Sequence, residues 1–162
     1  MRDTGVANDA FFINRAIELS KQARESGNHP FGALLVDQHN NILLEARNTV
    51  LTDKDITGHA ELNLVRAASA KYEPEFLANC TLYTSTEPCP MCSGAIFWSN
   101  IRRVVYGMGA DQLYDLVGWD SEEILNLPCQ DLFSTGHKKI MVEGPILVNE
   151  ALEVHAGFWT QA

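Results

Sequence analysis

Hydrophobic residues recur at helical spacing near the start of the chain and at strand-like spacing soon after it. Between residues 8 and 26, one face carries Ile13, Ala16, Ile17 and Ala23, which predicts an amphipathic helix. Two strand-like runs follow, at 34–36 and 42–46, and a polar turn joins them. This pattern predicts a hairpin.

The remaining pattern alternates between helices and strands. The polar stretch 48–58 predicts a loop, with Thr57 as the candidate cap of a helix from His59 to about residue 70. The following segments are a strand at 81–84, a helix through Trp98, a strand at 103–106, helices at 111–117 and 122–127, a strand at 139–142 and a helix at 147–159. Pro128 is expected to stop the second of those helices, 122–127. This order predicts an α/β fold, a three-layer α/β/α sandwich with a mixed five-stranded sheet.

Length and composition are those of one soluble globular domain, residues 1–162. Hydrophobic residues make up 46% of the chain and charged residues 20%, so a core can form without disulfides. No apolar run reaches the length of a membrane span and no signal peptide is apparent, so a cytoplasmic protein is expected. The formal net charge of -9 disfavours a nucleic-acid partner, because Lys and Arg contacts to phosphate dominate that affinity.

Two short stretches carry the candidate chemistry. His59-Ala60-Glu61 offers an imidazole and a carboxylate, and Pro88-Cys89-Pro90-Met91-Cys92 offers two thiols. A catalytic zinc takes three nitrogen or sulfur ligands and keeps one position for water, so His59, Cys89 and Cys92 are the expected ligands of one zinc per chain. Glu61 is then the expected catalytic base for that water.

Each residue also has a simpler interpretation. A single histidine usually belongs to the surface or the core, and a C-x-x-C pair is often half of a structural zinc site or a redox pair. A structural zinc would need a fourth ligand, and neither His137 nor Cys129 stands at a paired spacing. A redox protein that uses Cys89 and Cys92 stays an alternative, which metal analysis would separate.

The motifs resemble the cytidine deaminase-like superfamily over nearly the whole chain. The resemblance rests on His59-Ala60-Glu61, on Pro30-Phe31-Gly32-Ala33, on Asn48, and on residues 82–92 followed by Gly94-Ala95-Ile96. Within the superfamily, the branch with bacterial guanine deaminases and tRNA adenosine deaminases is the most similar. The resemblance implies the cytidine deaminase-like fold and a zinc-dependent hydrolase.

The same resemblance implies the substrate contacts. Asn48 would hydrogen-bond the base, Phe31 and His59 would pack on its ring, and Trp98 would wall the pocket. Ala33 and Ala60 are further candidate contacts. Guanine deaminases of this type carry Gly-Phe-Asp-Asp downstream, whereas this chain reads Gly118-Trp119-Asp120-Ser121, so Asp120 is a possible proton shuttle.

The expected function is zinc-dependent hydrolytic deamination of a free nucleobase or nucleoside, with guanine to xanthine plus ammonia as the first choice, a step of purine metabolism. The alternatives are a tRNA adenosine deaminase, a deaminase of cytosine, guanosine or another aminoheterocycle, and a catalytically silent binding module. The expected partners are a small heterocyclic substrate and a second copy of the chain in a homodimer. Nucleic acid and membrane are not expected.

Overall fold

The computed structural model describes residues 6–159, with side chains from residue 8 onward. Its elements are α1 (Val6–Glu25), β1 (Gly32–Val36), β2 (Ile42–Arg47), α2 (Val50–Asp53), α3 (Ala60–Lys71), α4 (Pro74–Leu77), β3 (Thr81–Thr86), α5 (Pro90–Ser99), β4 (Arg103–Met108), α6 (Ala110–Val117), α7 (Cys129–Ser134), β5 (Met141–Glu143) and α8 (Val148–Val154). Within the described range, no helix combines the length and the apolar character needed to cross a membrane.

The strands form one mixed sheet in the order β2-β1-β3-β4-β5. β1 pairs antiparallel with β2 and with β3, whereas β3, β4 and β5 run parallel. Helices α5 and α7 lie in the two crossovers between parallel strands, as parallel pairing requires. The predicted hairpin and the mixed five-stranded sheet are confirmed.

The sheet buries a separate hydrophobic cluster on each face. On one face, Leu35, Leu82 and Val104 pack with residues of α3, α5 and α7, among them Leu64 and Ile96. The cluster on the other face joins the sheet to α1 and α8, through Phe12, Ile13, Ala16, Leu34, Val105 and Ala151. Two faces covered by helices make a three-layer α/β/α sandwich, as predicted.

The close packing of α1 on the sheet depends on Gly32. A Cβ at this position would lie 2.5 Å from the Leu19 side chain and 2.6 Å from the Ser20 backbone nitrogen. Real Cβ atoms do not approach backbone so closely, so glycine allows α1 to pack directly over β1. This contact holds the start of β1, and the neighbouring Phe31, against α1.

Three local predictions are wrong. Thr57 does not cap α3: His59 takes the cap position, while the backbone amide and hydroxyl of Thr57 both donate to the carboxylate of Asp55. Residues 122–127 form no helix, and α7 instead begins after Pro128. The fixed φ of proline suits a helix start, so Pro128 opens a helix where the sequence suggested a stop.

The predicted closing helix at 147–159 is shorter than expected. α8 ends at Val154, and the chain turns through Gly157, whose φ is +74°. A left-handed residue cannot continue a helix, so the last described residues leave the helix axis. They fold back toward the start of β1.

Candidate active site

Two helix starts bring the candidate zinc ligands together. His59 is the N-cap of α3, Cys89 is the N-cap of α5, and Cys92 lies in the first turn of α5. Pro90 occupies the first turn of α5, where its missing N–H costs no hydrogen bond. Since both helices pack on the same face of the sheet, the two motifs converge.

The three side chains have the geometry that a tetrahedral zinc requires. The Nδ1 atom of His59 lies 3.5 Å from the Sγ of Cys89 and 3.5 Å from the Sγ of Cys92. Zinc bond lengths of about 2.3 Å to sulfur and about 2.0 Å to nitrogen, at the tetrahedral angle, would place these atoms about 3.5 Å apart. All three ligand atoms lie within 4.8 Å of one another, and no fourth His, Cys, Asp or Glu in the described range joins the group. The residues therefore fit a zinc with one open position.

The site also favours a thiolate at Cys89. Hydrogen bonding from Cys92 is the largest cause, and together with His59 it lowers the pKa of the Cys89 thiol to about 4. The position at the N-cap of α5 adds the favourable helix dipole. A thiolate is the form that binds zinc.

Glu61 is a buried carboxyl beside this centre. Its side chain lies in the first turn of α3, and the residue is only 6% exposed. Burial, and to a smaller extent the negative charge of Cys89, raises the pKa of Glu61 to about 7. A carboxyl group with this pKa can both accept and donate a proton near neutral pH.

A cavity of about 560 Å³ opens beside the centre. His59, Glu61 and Cys89 line it on one side, and Phe31 and Asn48 line it as well. The volume is ample for a planar heterocycle. The structure thus brings together the three ligands, the carboxyl and two of the predicted substrate contacts.

Asn48 has two roles in this wall. Its side-chain oxygen accepts a hydrogen bond from the Val50 backbone nitrogen at 3.0 Å, which fixes the loop before α2. The residue is 2% exposed and lines the cavity. Within the described range its side-chain nitrogen has no protein partner, so that nitrogen can donate a hydrogen bond to a bound molecule.

The other predicted contacts lie elsewhere. Trp98 is 79% exposed and does not line the cavity of its own chain. At 100° per residue it lies about 120° around α5 from Cys92, so it points away from the metal centre. Ala33 and Ala60 are fully buried in the core cluster that includes Leu64, and neither lines the cavity.

Asp120 does not reach the cavity either. Gly118, whose φ is +102°, caps the end of α6, and the turn that follows leaves Asp120 exposed. Glu123, three residues later, lines the cavity instead. Nothing in the spacing of Asp120, Glu122 and Glu123 indicates which of the three lines the cavity.

Glu87 connects the metal centre to the far wall of the cavity. Its two carboxylate oxygens accept hydrogen bonds of 3.0 Å from the backbone nitrogens of Ala110 and Cys129, the first residues of α6 and α7. The carboxylate thus neutralises the N-terminal dipoles of both helices. Because Glu87 directly precedes Pro88 and Cys89, α6 and the wall residue Tyr114 are held at a fixed place relative to the metal centre.

The C-terminal segment forms a wall of the cavity that the sequence did not indicate. Trp159 lines the cavity, and its ring centroid lies 5.7 Å from that of His29 and 6.2 Å from that of Phe31. The indole nitrogen donates a 2.9 Å hydrogen bond to Nδ1 of His155. Burial, with a smaller contribution from Arg24, lowers the pKa of His155 to about 4, so this histidine is neutral at pH 7.

Arg24 holds the same segment from α1. One guanidinium nitrogen donates to the carbonyls of Val154 at 2.7 Å and Ala156 at 2.8 Å. The guanidinium carbon also lies 5.5 Å from the ring centroid of Phe158, a cation–π contact. Aromatic residues are visible at 158 and 159 in the sequence, but no local pattern indicates where a chain end packs.

Comparison with known proteins supports the interpretation of His59, Cys89 and Cys92 as a zinc site. The family model for the cytidine and deoxycytidylate deaminase zinc-binding region matches residues 6–108. A Schizosaccharomyces pombe protein named "Probable cytosine deaminase" is 42% identical over 152 residues, which are 93% of this chain and 92% of that protein. The guanine deaminase of Bacillus subtilis is 41% identical over 100 residues, 61% of this chain and 64% of that protein.

A solved structure of a tRNA:A34 deaminase, from work on A-to-I editing at the wobble position of transfer RNA, has the same fold. It superposes with a TM-score of 0.69 over 89% of this chain and 98% of that chain, at 27% identity.

Proposed function

Because the chain belongs to the cytidine and deoxycytidylate deaminase family, and is thus a zinc-dependent deaminase of a nucleobase or nucleoside, we propose that it deaminates a free nucleobase. The observation that carries this proposal is that the Trp159 indole lines the same cavity as Glu61 and the zinc ligands His59 and Cys89. In this proposal the indole occupies space that a sugar or a polynucleotide attached to the base would need.

The charge of the chain supports a small substrate over tRNA. Twelve Lys and Arg residues stand against 21 Asp and Glu residues. A tRNA substrate needs several phosphate contacts, and its affinity would fall steeply between about 50 and 200 mM salt. A free base has no phosphates, so its turnover should depend little on salt in that range.

Among the free bases, cytosine is the first candidate and guanine the second. The sequence motifs alone favour guanine. The relative named a probable cytosine deaminase matches nearly end to end, which favours cytosine. Guanine stays a candidate because the Bacillus subtilis guanine deaminase is equally similar over its shorter match.

In the proposed mechanism, His59, Cys89 and Cys92 would hold zinc beside the cavity. Zinc, when bound there, supplies the Lewis acid that lowers the pKa of water toward about 7. The carboxylate of Glu61 takes a proton from the attacking water and delivers it to the ring nitrogen beside the amine-bearing carbon. Glu61 then transfers the second proton of the water to the exocyclic amine, which leaves as ammonia, and the base gains the oxygen.

Other residues would orient the base during these transfers. The side-chain nitrogen of Asn48 donates to a ring acceptor, and Phe31 with Trp159 packs against the ring. Glu123, which lines the cavity where Asp120 does not, is proposed to assist the proton transfers that Glu61 carries out.

We also propose a homodimer. Trp98 is 79% exposed and Met91 is 37% exposed on α5, an amount of apolar surface that a second copy could cover. The expected result is a dimer by light scattering at micromolar concentration. A monomer with full activity would contradict this assembly.

The test of the proposed function is ammonia release by the zinc-loaded protein. Cytosine, guanine, cytidine, guanosine and a tRNA with adenosine at the wobble position are assayed side by side at 50 and 200 mM salt. Turnover of cytosine or guanine, with at most a small effect of salt, is expected. Turnover of the tRNA alone, falling steeply with salt, would show that the chain is an editing enzyme.

A further inference from the structure

One buried hydroxyl in the cavity wall has no hydrogen-bond partner. Thr86, the last residue of β3, is 4% exposed and lines the same cavity as Glu61. In the part of the chain that the structure describes, its Oγ1 is the one side-chain nitrogen or oxygen atom that has neither solvent contact nor a hydrogen-bond partner. Buried polar groups are nearly always paired, and an unpaired one destabilises the protein.

The alternation of the strand directs this hydroxyl toward the metal centre. Side chains at positions 82, 84 and 86 share one face of β3. Leu82 packs in the core cluster with Ala60 of α3, so this face looks toward the helices that carry the zinc ligands. The hydroxyl of Thr84, on the same face, donates to the Thr86 carbonyl at 3.1 Å and is therefore satisfied.

We propose that Thr86 is a specificity-determining residue whose hydroxyl hydrogen-bonds a polar edge of the bound base. The inference rests on the proposed function and deepens it. Deamination uses the amine and the adjacent ring nitrogen of the base at Glu61, so the other polar atoms of the base need partners in the buried wall. A threonine hydroxyl can donate to a ring carbonyl or accept from a ring N–H.

The unpaired state has a functional advantage. A cavity that holds a polar group ready for its ligand rejects a molecule that cannot pair with that group, because both sides of the contact would stay unsatisfied. The correct base satisfies Oγ1, whereas an apolar or wrongly placed ring does not. The unpaired hydroxyl lowers the stability of the free enzyme, and it allows the enzyme to discriminate between bases.

The variant that isolates this role is Thr86→Val, which keeps the branched shape and removes the hydroxyl. In the base-free, zinc-loaded protein we expect a higher Tm than in the wild type, because an unpaired polar atom has been removed. With cytosine or guanine, whichever the wild type deaminates, we expect kcat/KM to fall on the order of tenfold or more, from the lost hydrogen bond.

Two further variants serve as controls. Thr86→Ser restores the hydroxyl, so its kcat/KM should stay within about threefold of the wild type. Thr84→Val removes a hydroxyl that already has a partner, so it should lower Tm where Thr86→Val raises it. A merely structural role of Thr86 would not produce higher stability together with weaker turnover.

The outcomes separate this inference from the proposed function. Failure of the wild type to deaminate any base refutes the proposed function, and the Tm comparison then decides whether the hydroxyl is unpaired. A Thr86→Val enzyme with wild-type kcat/KM overturns the inference even if its Tm rises. A lower Tm for Thr86→Val also overturns it, because the hydroxyl would then be paired in the free protein.

Discussion

Protonation of His155 should release the C-terminal wall of the cavity. The residue is 2% exposed, and its Nδ1 accepts a hydrogen bond from the Trp159 indole, which can only donate. A charged imidazole would carry a proton at that nitrogen and lose the bond. Burial, and then the positive charge of Arg24, lowers the pKa of His155 from 6.5 to about 4.

The direction of the stability change follows from this pKa. Between pH 6.5 and about 4 the unfolded chain carries the proton on this histidine and the folded chain does not. The contribution of His155 is therefore complete above pH 6.5 and is lost as the pH falls toward 4. At about 1.4 kcal/mol per pH unit, the loss in the free energy of unfolding is about 3 kcal/mol.

The assay is denaturant unfolding of the wild type and His155→Gln at pH 7.5, 6.5, 5.5 and 4.5, with zinc at a fixed concentration. Glutamine keeps an oxygen acceptor for Trp159 but does not titrate. Loss of zinc in acid affects both proteins, so the difference between them isolates His155. His39→Gln, in the exposed turn after β1, is the matched control.

We expect the stability advantage of the wild type over His155→Gln to shrink by about 2–3 kcal/mol between pH 7.5 and 4.5. The His39→Gln protein should follow the wild-type curve. Parallel curves for the wild type and His155→Gln would refute the reasoning, because the histidine would then titrate alike in the folded and unfolded chains.

Two further predictions concern the tail and the core. Arg24→Gln should raise KM for the base severalfold and weaken discrimination against its nucleoside. The carbonyls of Val154 and Ala156 would lose their donor, so the C-terminal segment would hold Trp159 less firmly. Steady-state kinetics on base and nucleoside check this, with Arg15→Gln as the control from the same helix, since Arg15 pairs with Glu45. Leu64→Ala, at a residue 1% exposed, should cost about 2–5 kcal/mol in denaturant unfolding. Leu125→Ala, at a residue 64% exposed, should change the free energy of unfolding by less than about 0.5 kcal/mol.

The metal centre could be predicted because each half of it is local. His59 and Glu61 are two residues apart at one helix start, and Cys89 and Cys92 are three apart at another. Helix geometry then fixes the relation within each pair, and zinc chemistry requires the two pairs to meet. The hairpin and the sheet were equally accessible, because short apolar runs bounded by polar turns are a local signal.

The remaining walls of the cavity depend on contacts between distant parts of the chain. Trp159 reaches the cavity because Arg24, more than 100 residues earlier in the chain, binds the C-terminal segment. A contact between residues so far apart leaves no pattern in the local sequence. The segment 122–127 forms no helix although its composition allows one, and a helix instead begins at Cys129, whose backbone nitrogen donates to the distant Glu87 carboxylate. The prediction that Trp98 walls the pocket is wrong for the cavity of its own chain. The helical angle between Cys92 and Trp98 already places the indole outside that cavity.

The most direct test of the account measures zinc content and ammonia release in Glu61→Ala and Cys89→Ala. We predict that Glu61→Ala keeps about one zinc per chain and loses turnover by at least a hundredfold, as expected for loss of the general base and acid. Cys89→Ala should lose both the zinc and the turnover. Loss of zinc from Glu61→Ala, or full turnover without Cys89, would contradict the assignment of these residues.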